Sequence, residues 1–195
     1  MFAELLRSRL AGIVELSQTQ IEALQGHYEL LLRWNKVLNL TRIEDLEEAV
    51  ERHYGESLFL AAHLPAPLPA GALRIADVGS GAGFPGFPVA VLRPDCAVTL
   101  IESHQRKAVF LREASRRLAN VAVLAKRAEE VGIGFDLLIS RAVSYEDLRK
   151  VMSLAPQACL LTGAEEPPGK IGFIWSEPVR LPWGQNRFLR MGRRV

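Results

Sequence analysis

The sequence predicts an α/β protein in which a doubly wound, mostly parallel sheet follows a helical extension. Three observations support this fold class. Helical periodicity dominates residues 1–64, a Pro- and Gly-rich stretch at 65–71 interrupts it, and short apolar runs then alternate with helical patterns. Such alternation is typical of sheets that bind ligands at the carboxyl ends of their strands. We therefore expect an N-terminal helical region at 1–64 and an α/β domain at 65–195.

In the helical region, one apolar stripe recurs at spacings of three and four residues. Its members are Ile21, Leu24, Tyr28, Leu31, Asn35 and Leu38. Asp45 is a suitable N-cap for a further helix, because its side chain can accept a bond from an unpaired main-chain N–H. That helix is expected to bury Leu46, Ala49, Val50, His53, Ser57 and Leu58. His53 is thus predicted to be a core residue or to join the helical region to the sheet, whereas His27, His63 and His104 have no identifiable partner.

The α/β domain is predicted to contain seven strands and three helices. The strands are expected at Leu73–Val78, Ala97–Ile101, Val121–Leu124, Phe135–Ser140, Ala158–Leu161, Ile171–Trp175 and Arg187–Met191. The helices are expected at Phe87–Leu92, Arg106–Leu118 and Ser144–Leu154.

The most informative motif is Leu73–Pro88, LRIADVGSGAGFPGFP, in which an apolar strand runs into three alternating glycines. Glycines permit positive φ and let a ligand lie against bare main chain, and the next helix offers free N–H groups. Phe84 stands where the dinucleotide fingerprint G-x-G-x-x-G requires its last glycine. The motif instead resembles the first motif of S-adenosylmethionine-dependent methyltransferases; a turn that serves only the topology is the alternative. The cofactor-binding residues predicted from it are Asp77, Gly79, Gly81 and Gly83.

Two acidic residues are candidates for binding an adenosyl cofactor. Glu102 follows Gly79 by 23 residues and ends the second predicted strand. An acid at this place can accept hydrogen bonds from both ribose hydroxyls, although a surface glutamate is the alternative. Asp77 can face the methionine ammonium or bond to main-chain amides of the loop, and the two roles are compatible.

Two further segments end predicted strands. Arg127-Ala128-Glu129 follows the third strand, where Ala128 and Glu129 could contact adenine; an acidic helix start is the competing interpretation. Arg141 ends the fourth strand at the mouth of the expected cleft. Because arginine does not lose its proton, its predicted role is positioning or phosphate contact, with a structural ion pair as the alternative.

Composition excludes several classes of protein. No apolar run is long enough to span a bilayer, and the N-terminal stretch lacks the features of a signal peptide, so we expect a cytoplasmic protein without a membrane partner. Cys96 and Cys159 are far apart and have no neighbouring ligand set, so neither a disulfide framework nor a metal site is predicted.

The net charge of +2 hides an asymmetry along the chain. Residues 1–64 hold six basic and ten acidic side chains, whereas residues 65–195 hold eighteen and twelve. Five arginines and no acid lie between Arg180 and Val195. A basic surface favours a polyanionic partner such as RNA, although a solvated face is the alternative.

Together these residues resemble the ribosomal RNA small subunit methyltransferase G family, also called glucose-inhibited division protein B. The segments that carry the resemblance are Trp34–Thr41, Arg52-His53, Asp77–Gly86, Ile101-Glu102 with Lys107 and Phe110-Leu111, Arg127–Glu130 and Ile139–Ala142. The combination of the Trp34–Thr41 helix end with the Gly-Phe-Pro-Gly loop is the specific part, because the glycine loop alone indicates only the superfamily.

The resemblance implies a Rossmann-like class I methyltransferase that methylates N7 of a guanosine in the decoding-region loop of bacterial 16S rRNA. It implies cofactor binding by Gly79, Phe84, Ala128, Glu129 and Arg141, with Glu102 as the ribose acid. It further implies that Lys107, Arg127 and Arg141, the candidate catalytic residues, lie near the RNA or the methyl-transfer site. The implied partner is 16S rRNA or the small ribosomal subunit, and a monomer is expected.

Three departures from the family pattern are visible. Thr162 stands in Leu161-Thr162-Gly163, where the family commonly has lysine, the region after Gly163 is short, and Glu56 replaces aspartate. Two other functions stay open at this point. One is methylation of a substrate other than RNA, and the other is a non-catalytic ribosome-binding protein with a degenerate cofactor pocket.

Overall fold

The centre of the fold is a sheet, which we describe from a computed structural model that covers residues 1–65, 71–132, 134–167 and 172–195. Its strands are β1 (Leu73–Val78), β2 (Cys96–Ile101), β3 (Val121–Leu124), β4 (Leu137–Arg141), β5 (Gln157–Thr162), β6 (Phe173–Trp175), β7 (Val179–Arg180) and β8 (Phe188–Arg194). Their order is β3-β2-β1-β4-β5-β8-β6, and β7 pairs with β8. The first five strands are parallel, whereas β8 is antiparallel to β5 and β6.

Seven α-helices surround this sheet in the described ranges. They are α1 (Phe2–Leu10), α2 (Gln18–Leu38), α3 (Leu46–Glu48), α4 (Glu56–Ala62), α5 (Gly86–Leu92), α6 (Gln105–Ser115) and α7 (Tyr145–Val151). A π-helical segment, Ala49–Gly55, joins α3 to α4 without a break, and short 3-10 helices occur at Ala128–Glu130 and Met152–Leu154. None of these helices has both the length and the apolarity to cross a bilayer.

Two apolar cores lie on the two faces of the sheet, as a doubly wound fold requires. On one face, α1–α6 pack their apolar residues, for example Leu24, Leu58 and Phe110, against side chains such as Ile75. On the other face, α7 packs Leu148 against the remaining strand residues. The helical extension therefore shares a continuous core with the sheet and is positioned next to the glycine-rich loop.

The predicted bounds of β1 and β3 are confirmed to the residue, and Asp45 caps its helix by accepting a bond from Glu48 N–H at 2.9 Å. The last strand is longer than predicted and reaches Arg194, because it is paired on both sides by β5 and β6. The main-chain hydrogen bonds to β5 and β6 extend the strand to Arg193 and Arg194, which lie beyond the apolar run that predicted it. Most of the predicted linker and Ile171 lie outside the described residues.

Candidate functional site

The glycine-rich loop leaves β1 at its carboxyl end and turns sharply into α5. Gly79, Gly81 and Gly83 have φ values of +71°, +55° and +93°, the left-handed region that glycine adopts without strain. The amides of Gly79 and Ser80 both donate to the Ile101 carbonyl of β2, at 3.0 and 3.1 Å. The loop thus lies across the ends of two neighbouring strands, as the motif predicts.

Glu102 is 8% exposed and lies against this loop. Its Oε2 accepts a bond from Gly81 N–H at 2.9 Å, and its Oε1 accepts one from His104 N–H at 2.8 Å. Two anchored oxygens fix the carboxylate in one orientation at the end of β2. A carboxylate oxygen can accept more than one bond, so Glu102 retains the capacity to bind a hydroxyl-rich ligand. Its role as the ribose acid stays a prediction.

Asp77 is fully buried at the same edge of the sheet. Its Oδ2 accepts a bond from the Gly86 amide at 3.0 Å, which ties the start of α5 to β1. Its Oδ1 is also buried but has no hydrogen-bond partner among the described residues. Burial raises the pKa of the carboxyl from 3.8 to about 7. An unpartnered oxygen of this kind is suited to a cationic ligand group, because a ligand cation would satisfy it.

A cavity of about 220 Å³ lies beside these residues, over the ends of β1, β2 and the segment after β3. It is lined by Val78, Gly79, Ile101, Glu102, Ser103, Lys126, Arg127, Ala128, Glu129, Val143, Asp147 and Val151. We call it the cofactor cavity. Four of the predicted cofactor residues and Arg127 thus meet in one place, although they come from three separate segments. Lys107 is half-buried in the first turn of α6 and is not among the lining residues.

Phe84 was predicted to bind the cofactor, but it is not among the residues that line the cofactor cavity. Its ring is 3% exposed and stacks on the His53 ring, with the centroids 4.5 Å apart and the planes at 16°. The Arg141 guanidinium lies over the same ring, 5.1 Å from the centroid. A cofactor contact by Phe84 would therefore come from its main chain. His53 is a core histidine that joins the helical extension to the loop, as predicted.

The partners of His27, which the sequence does not identify, lie in the glycine-rich loop and in the π-helical segment. Its Nε2 is 3.0 Å from the Ala82 carbonyl oxygen and its Nδ1 is 2.8 Å from the Tyr54 hydroxyl. A carbonyl oxygen only accepts, so Nε2 carries the proton and Nδ1 accepts from Tyr54. Burial lowers the pKa of His27 to about 3, which keeps the ring neutral. The helical extension thereby holds the glycine loop from one side while Glu102 holds it from the other.

His104 and His63 also have partners that the sequence did not identify. His104 caps α6, accepting a bond from the Lys107 amide at 3.4 Å. His63 has its Nδ1 2.8 Å from the Phe59 carbonyl oxygen, one turn earlier in its helix. Both contacts are local and serve the helix ends.

Arg141 ends β4 and is largely buried. Its Nη1 donates to the Arg52 carbonyl oxygen at 2.5 Å, and burial lowers its pKa to about 10, so it stays charged at neutral pH. No carboxylate lies within ion-pair distance of it in the described ranges. The next residue, Ala142, has a φ of +60°, a strained conformation of the kind that accumulates at functional sites.

A second cavity, of about 460 Å³, lies on the other side of this strained turn. It is bounded by α7 on one side and by the chain after β5 on the other, and we call it the β5 cavity. It is lined by Ser140, Ala142, Val143, Ser144, Tyr145, Glu146, Leu148, Leu160, Leu161, Thr162, Gly163, Ala164, Glu165 and Arg187. Val143 lines both cavities, so the two lie back to back at the carboxyl edge of the sheet.

A buried ion-pair cluster joins the helical extension to Arg187, one of the residues that line the β5 cavity. Glu56 is 0% exposed and accepts two bonds from Arg187, at 2.8 and 2.6 Å. The Nε of Arg52 lies 3.5 Å from the same carboxylate. Sequence reasoning missed this cluster. In the sequence, Glu56 stands out only as a replacement of the family's aspartate, which does not identify its partner 131 residues away.

Comparison with known proteins gives matches to methyltransferases. A family model described as rRNA small subunit methyltransferase G matches residues 20–160. The ribosomal RNA small subunit methyltransferase G of Halorhodospira halophila is 43% identical over 143 residues, which make up 71% of this chain and 66% of that protein. Its counterpart in Chromobacterium violaceum is 41% identical over 146 residues, 73% of this chain and 68% of that protein. The chain thus matches about two thirds of the length of these relatives.

Solved structures give the fold independently. Magnesium protoporphyrin IX methyltransferase from Synechocystis PCC 6803, solved with bound SAM, aligns with a TM-score of 0.64 at 16% identity. The alignment covers 93% of this chain and 99% of that one. At this identity the likeness concerns the fold alone, and it confirms the predicted Rossmann-like methyltransferase sheet.

Proposed function

Since this chain belongs to the rRNA small subunit methyltransferase G family, we propose that it transfers a methyl group from S-adenosylmethionine to N7 of a guanosine in the decoding-region loop of 16S rRNA. The observation that carries the proposal is the pair of cavities that share Val143. One is bordered by the adenosyl-type motif and the other opens at the ends of β4 and β5. Two reactants bound in them would meet at the strained turn after Arg141.

The residues of the cofactor cavity fit S-adenosylmethionine, which supplies an electrophilic methyl group when bound. Glu102 would accept bonds from the ribose, and Ala128 with Glu129 would border the adenine. Asp77 is not among the residues that line the cavity, but it lies next to Val78 and Gly79 at its edge, and its unpartnered Oδ1 would face the cofactor's ammonium group. Gly79 would let the cofactor lie against main chain.

The chain's own groups are suited to positioning rather than to proton removal. N7 of guanine already carries a lone pair, so its methylation needs no general base. No histidine lines either cavity in the part of the chain that is described. Arg141 stays charged and is fixed by the Arg52 carbonyl and the Phe84 ring. Holding two reactants in line supplies a large part of the rate in such a displacement.

The proposed partner is the small ribosomal subunit or its RNA. The protein is proposed to act on it as a monomer in the cytoplasm. Support comes from the excess of basic residues after position 64 and from Arg127 and Lys126 at the rim of the cofactor cavity. Lys107 on α6 would add a phosphate contact. Such contacts make binding strongly dependent on salt concentration.

Asp77 leads to a prediction about pH. Because its folded pKa of about 7 lies above the ordinary 3.8, the folded protein binds an extra proton between these values. The free energy of unfolding that Asp77 contributes therefore falls as pH rises from about 4 to about 7.

A ligand ammonium needs the ionised carboxylate, so affinity for S-adenosylmethionine should increase roughly tenfold between pH 6 and pH 8. Titration calorimetry at both pH values measures this, and an Asp77→Asn variant should lose the dependence. If affinity changed equally with pH in both proteins, Asp77 would not be the group that binds the ammonium.

The proposed function is tested with small ribosomal subunits that lack the modification. Purified protein and radiolabelled S-adenosylmethionine are incubated with these subunits, and m7G is mapped at nucleotide resolution. One labelled guanosine in the decoding-region loop is expected, and an Arg141→Ala variant that melts like wild type should transfer far more slowly. Label in protein or small molecules of a cell extract, with none in the subunits, would overturn the RNA assignment. Tight subunit binding without cofactor binding would indicate a non-catalytic protein.

A further inference from the structure

A groove lies between α2 and α6, away from the two cavities at the carboxyl edge of the sheet. Two adjoining hollows form it, of about 210 and 350 Å³, and they share Leu30, Arg33 and Glu113. None of the described residues that line these hollows also lines the cofactor cavity or the β5 cavity. We call this feature the α2–α6 groove.

The walls of the α2–α6 groove are largely apolar, and a glycine keeps space open in it. Leu30, Phe87 and Leu118 line the first hollow, and Trp34 lines the second. Gly26 also lines the first hollow and lies in the middle of α2, where glycine destabilises a helix relative to alanine. A Cβ at Gly26 would meet no atom within 4 Å, so no packing contact requires the glycine. The absent side chain leaves room that a ligand can occupy.

The rim of the groove is basic. Arg33 of α2 lines it together with Arg116 and Arg117 at the end of α6, and all three side chains are exposed. In the described ranges, none of the three arginines lies within ion-pair distance of a carboxylate. Their charges are therefore available to an anionic partner.

The rest of α6 adds to this positive charge. Residues 105–117 hold five basic side chains and a single acid, Glu113. The Glu113 carboxylate accepts a bond from the Trp34 indole N–H at 3.1 Å, and Glu22, the other acid that lines the groove, accepts one from Gln18 at 2.9 Å. Both acids are thus engaged by neighbouring side chains, and the basic residues of this face outnumber them.

The arginines near the end of the chain are less available, because two of them are used inside the protein. Arg187 is paired with Glu56. Arg190 is 5% exposed, and its Nε donates to Thr162 Oγ1 at 3.1 Å. The α2–α6 groove is therefore a better place for contact with a polyanion than the arginine-rich end of the chain.

We propose that the α2–α6 groove is a second RNA-binding surface, which holds unpaired bases of 16S rRNA other than the methylated one. Its arginines bind phosphates, and its apolar walls and Trp34 contact bases. Unpaired RNA offers exposed base faces to such side chains, whereas a duplex offers chiefly its backbone. The inference rests on the proposed function, because this RNA is the substrate of that reaction.

The course of α6 sets the distance between this surface and the reaction. The helix begins shortly after Glu102, at the edge of the sheet where methyl transfer is proposed. Its 11 residues extend about 16 Å from that edge. Binding in the groove would therefore position the RNA without touching the cofactor or the reacting base.

Gly26→Leu tests the groove directly, because leucine fills it and favours a helix more than glycine does. We expect KM for small ribosomal subunits to rise roughly tenfold, the effect of one lost base contact. The value of kcat, the affinity for S-adenosylhomocysteine and the melting temperature should not fall. Gly26→Ala is the matched control, since it favours the helix without filling the groove, and its KM should equal that of the wild type. A wild-type KM for Gly26→Leu would overturn the inference.

The salt dependence of KM tests the phosphate contacts. Replacing both rim arginines, Arg116→Gln with Arg117→Gln, should make the slope of log KM against log salt shallower by about 1.4, or about 0.7 for each contact with single-stranded RNA. Arg149→Gln with Arg193→Gln removes the same charge from exposed positions on α7 and β8 and should leave the slope unchanged. Equal slopes for the two double variants would contradict the proposal.

Crosslinking identifies the partner. A photoreactive benzophenone side chain introduced at position 33 should crosslink to unpaired nucleotides of 16S rRNA in the small subunit. A crosslink to a ribosomal protein alone would overturn the assignment of the groove to RNA, while methyl transfer by the wild type would still support the proposed function. If the wild type transferred no methyl group to the subunits, the proposed function itself would fail.

Discussion

Gly81→Val should abolish binding of S-adenosylmethionine while leaving the helical extension and the sheet folded. A Cβ at Gly81 would have only the Gly79 carbonyl oxygen near it, at 3.8 Å, so the side chain would not collide with the protein. It would project from the loop that Glu102 anchors and fill space beside the cofactor cavity. We expect affinity to fall roughly 100-fold, since an overpacked contact with the ligand costs about 1–3 kcal/mol. The strained φ, about 1–2 kcal/mol, lowers the stability of the fold and not the affinity.

Calorimetry with S-adenosylhomocysteine measures this loss, and thermal unfolding measures the cost to the fold. Gly12→Val is the matched control, because Gly12 also has a positive φ, of +76°, and open space around it. The control variant has the same backbone strain far from the loop. Its melting temperature should therefore fall similarly, while its affinity for the ligand stays unchanged. A Gly81→Val protein that binds the ligand within threefold of wild type would show that the loop does not border the cofactor.

Glu56→Ala should destabilise the protein by about 3 kcal/mol, because it leaves the Arg187 guanidinium without its anion in a mostly buried site. The carboxylate is 0% exposed, and it joins α4 to the chain just before β8. We take a value at the low end of the range for buried pairs, since the Arg187 side chain is 21% exposed and can partly rehydrate.

Urea unfolding of the wild type and two variants checks this expectation. Glu48→Ala, on the preceding turns of the same continuous helix, is the control. Glu48 is 49% exposed and lies 3.9 Å from Arg52, so its loss should cost less than about 1 kcal/mol. If both variants lose the same small amount, the Glu56 cluster does not stabilise the fold. A large loss for Glu56→Ala alone would identify the cluster as the link between the helical extension and the β5 cavity.

The cofactor side of the site was accessible to sequence reasoning because its determinants are local. Asp77 and the glycines lie in one strand-loop-helix unit, and Glu102 ends the next strand of the same parallel sheet. Parallel strands bring their carboxyl ends to one edge, so residues that end strands meet there whatever the rest of the chain does. For the same reason Ala128, Glu129 and Arg141 were predicted near the cleft, and the first two line the cofactor cavity.

The contacts around the β5 cavity could not be predicted in this way. In the sequence, Thr162 is visible only as a departure from the family pattern, and Arg190 only as one of five arginines near the end of the chain. Their contact depends on the antiparallel pairing of β5 with β8, whose register no local pattern specifies. The π-helical segment that carries Arg52, His53 and Tyr54 is likewise not predictable from the sequence, because helical periodicity does not distinguish a π-helix from an α-helix.

The sequence alone was enough to predict the order of the helices and strands apart from β7, the glycine loop with its acidic neighbours, and the family. These follow from periodicity and spacing, which act over a few residues and need no knowledge of distant partners. The contacts between distant residues could be found only in the folded protein: His27 with the Ala82 carbonyl, Glu56 with Arg187, and Arg190 with Thr162. Each of these contacts lies inside the protein, where a polar group must find a partner, and only the packing of separate elements determines which partner is within reach.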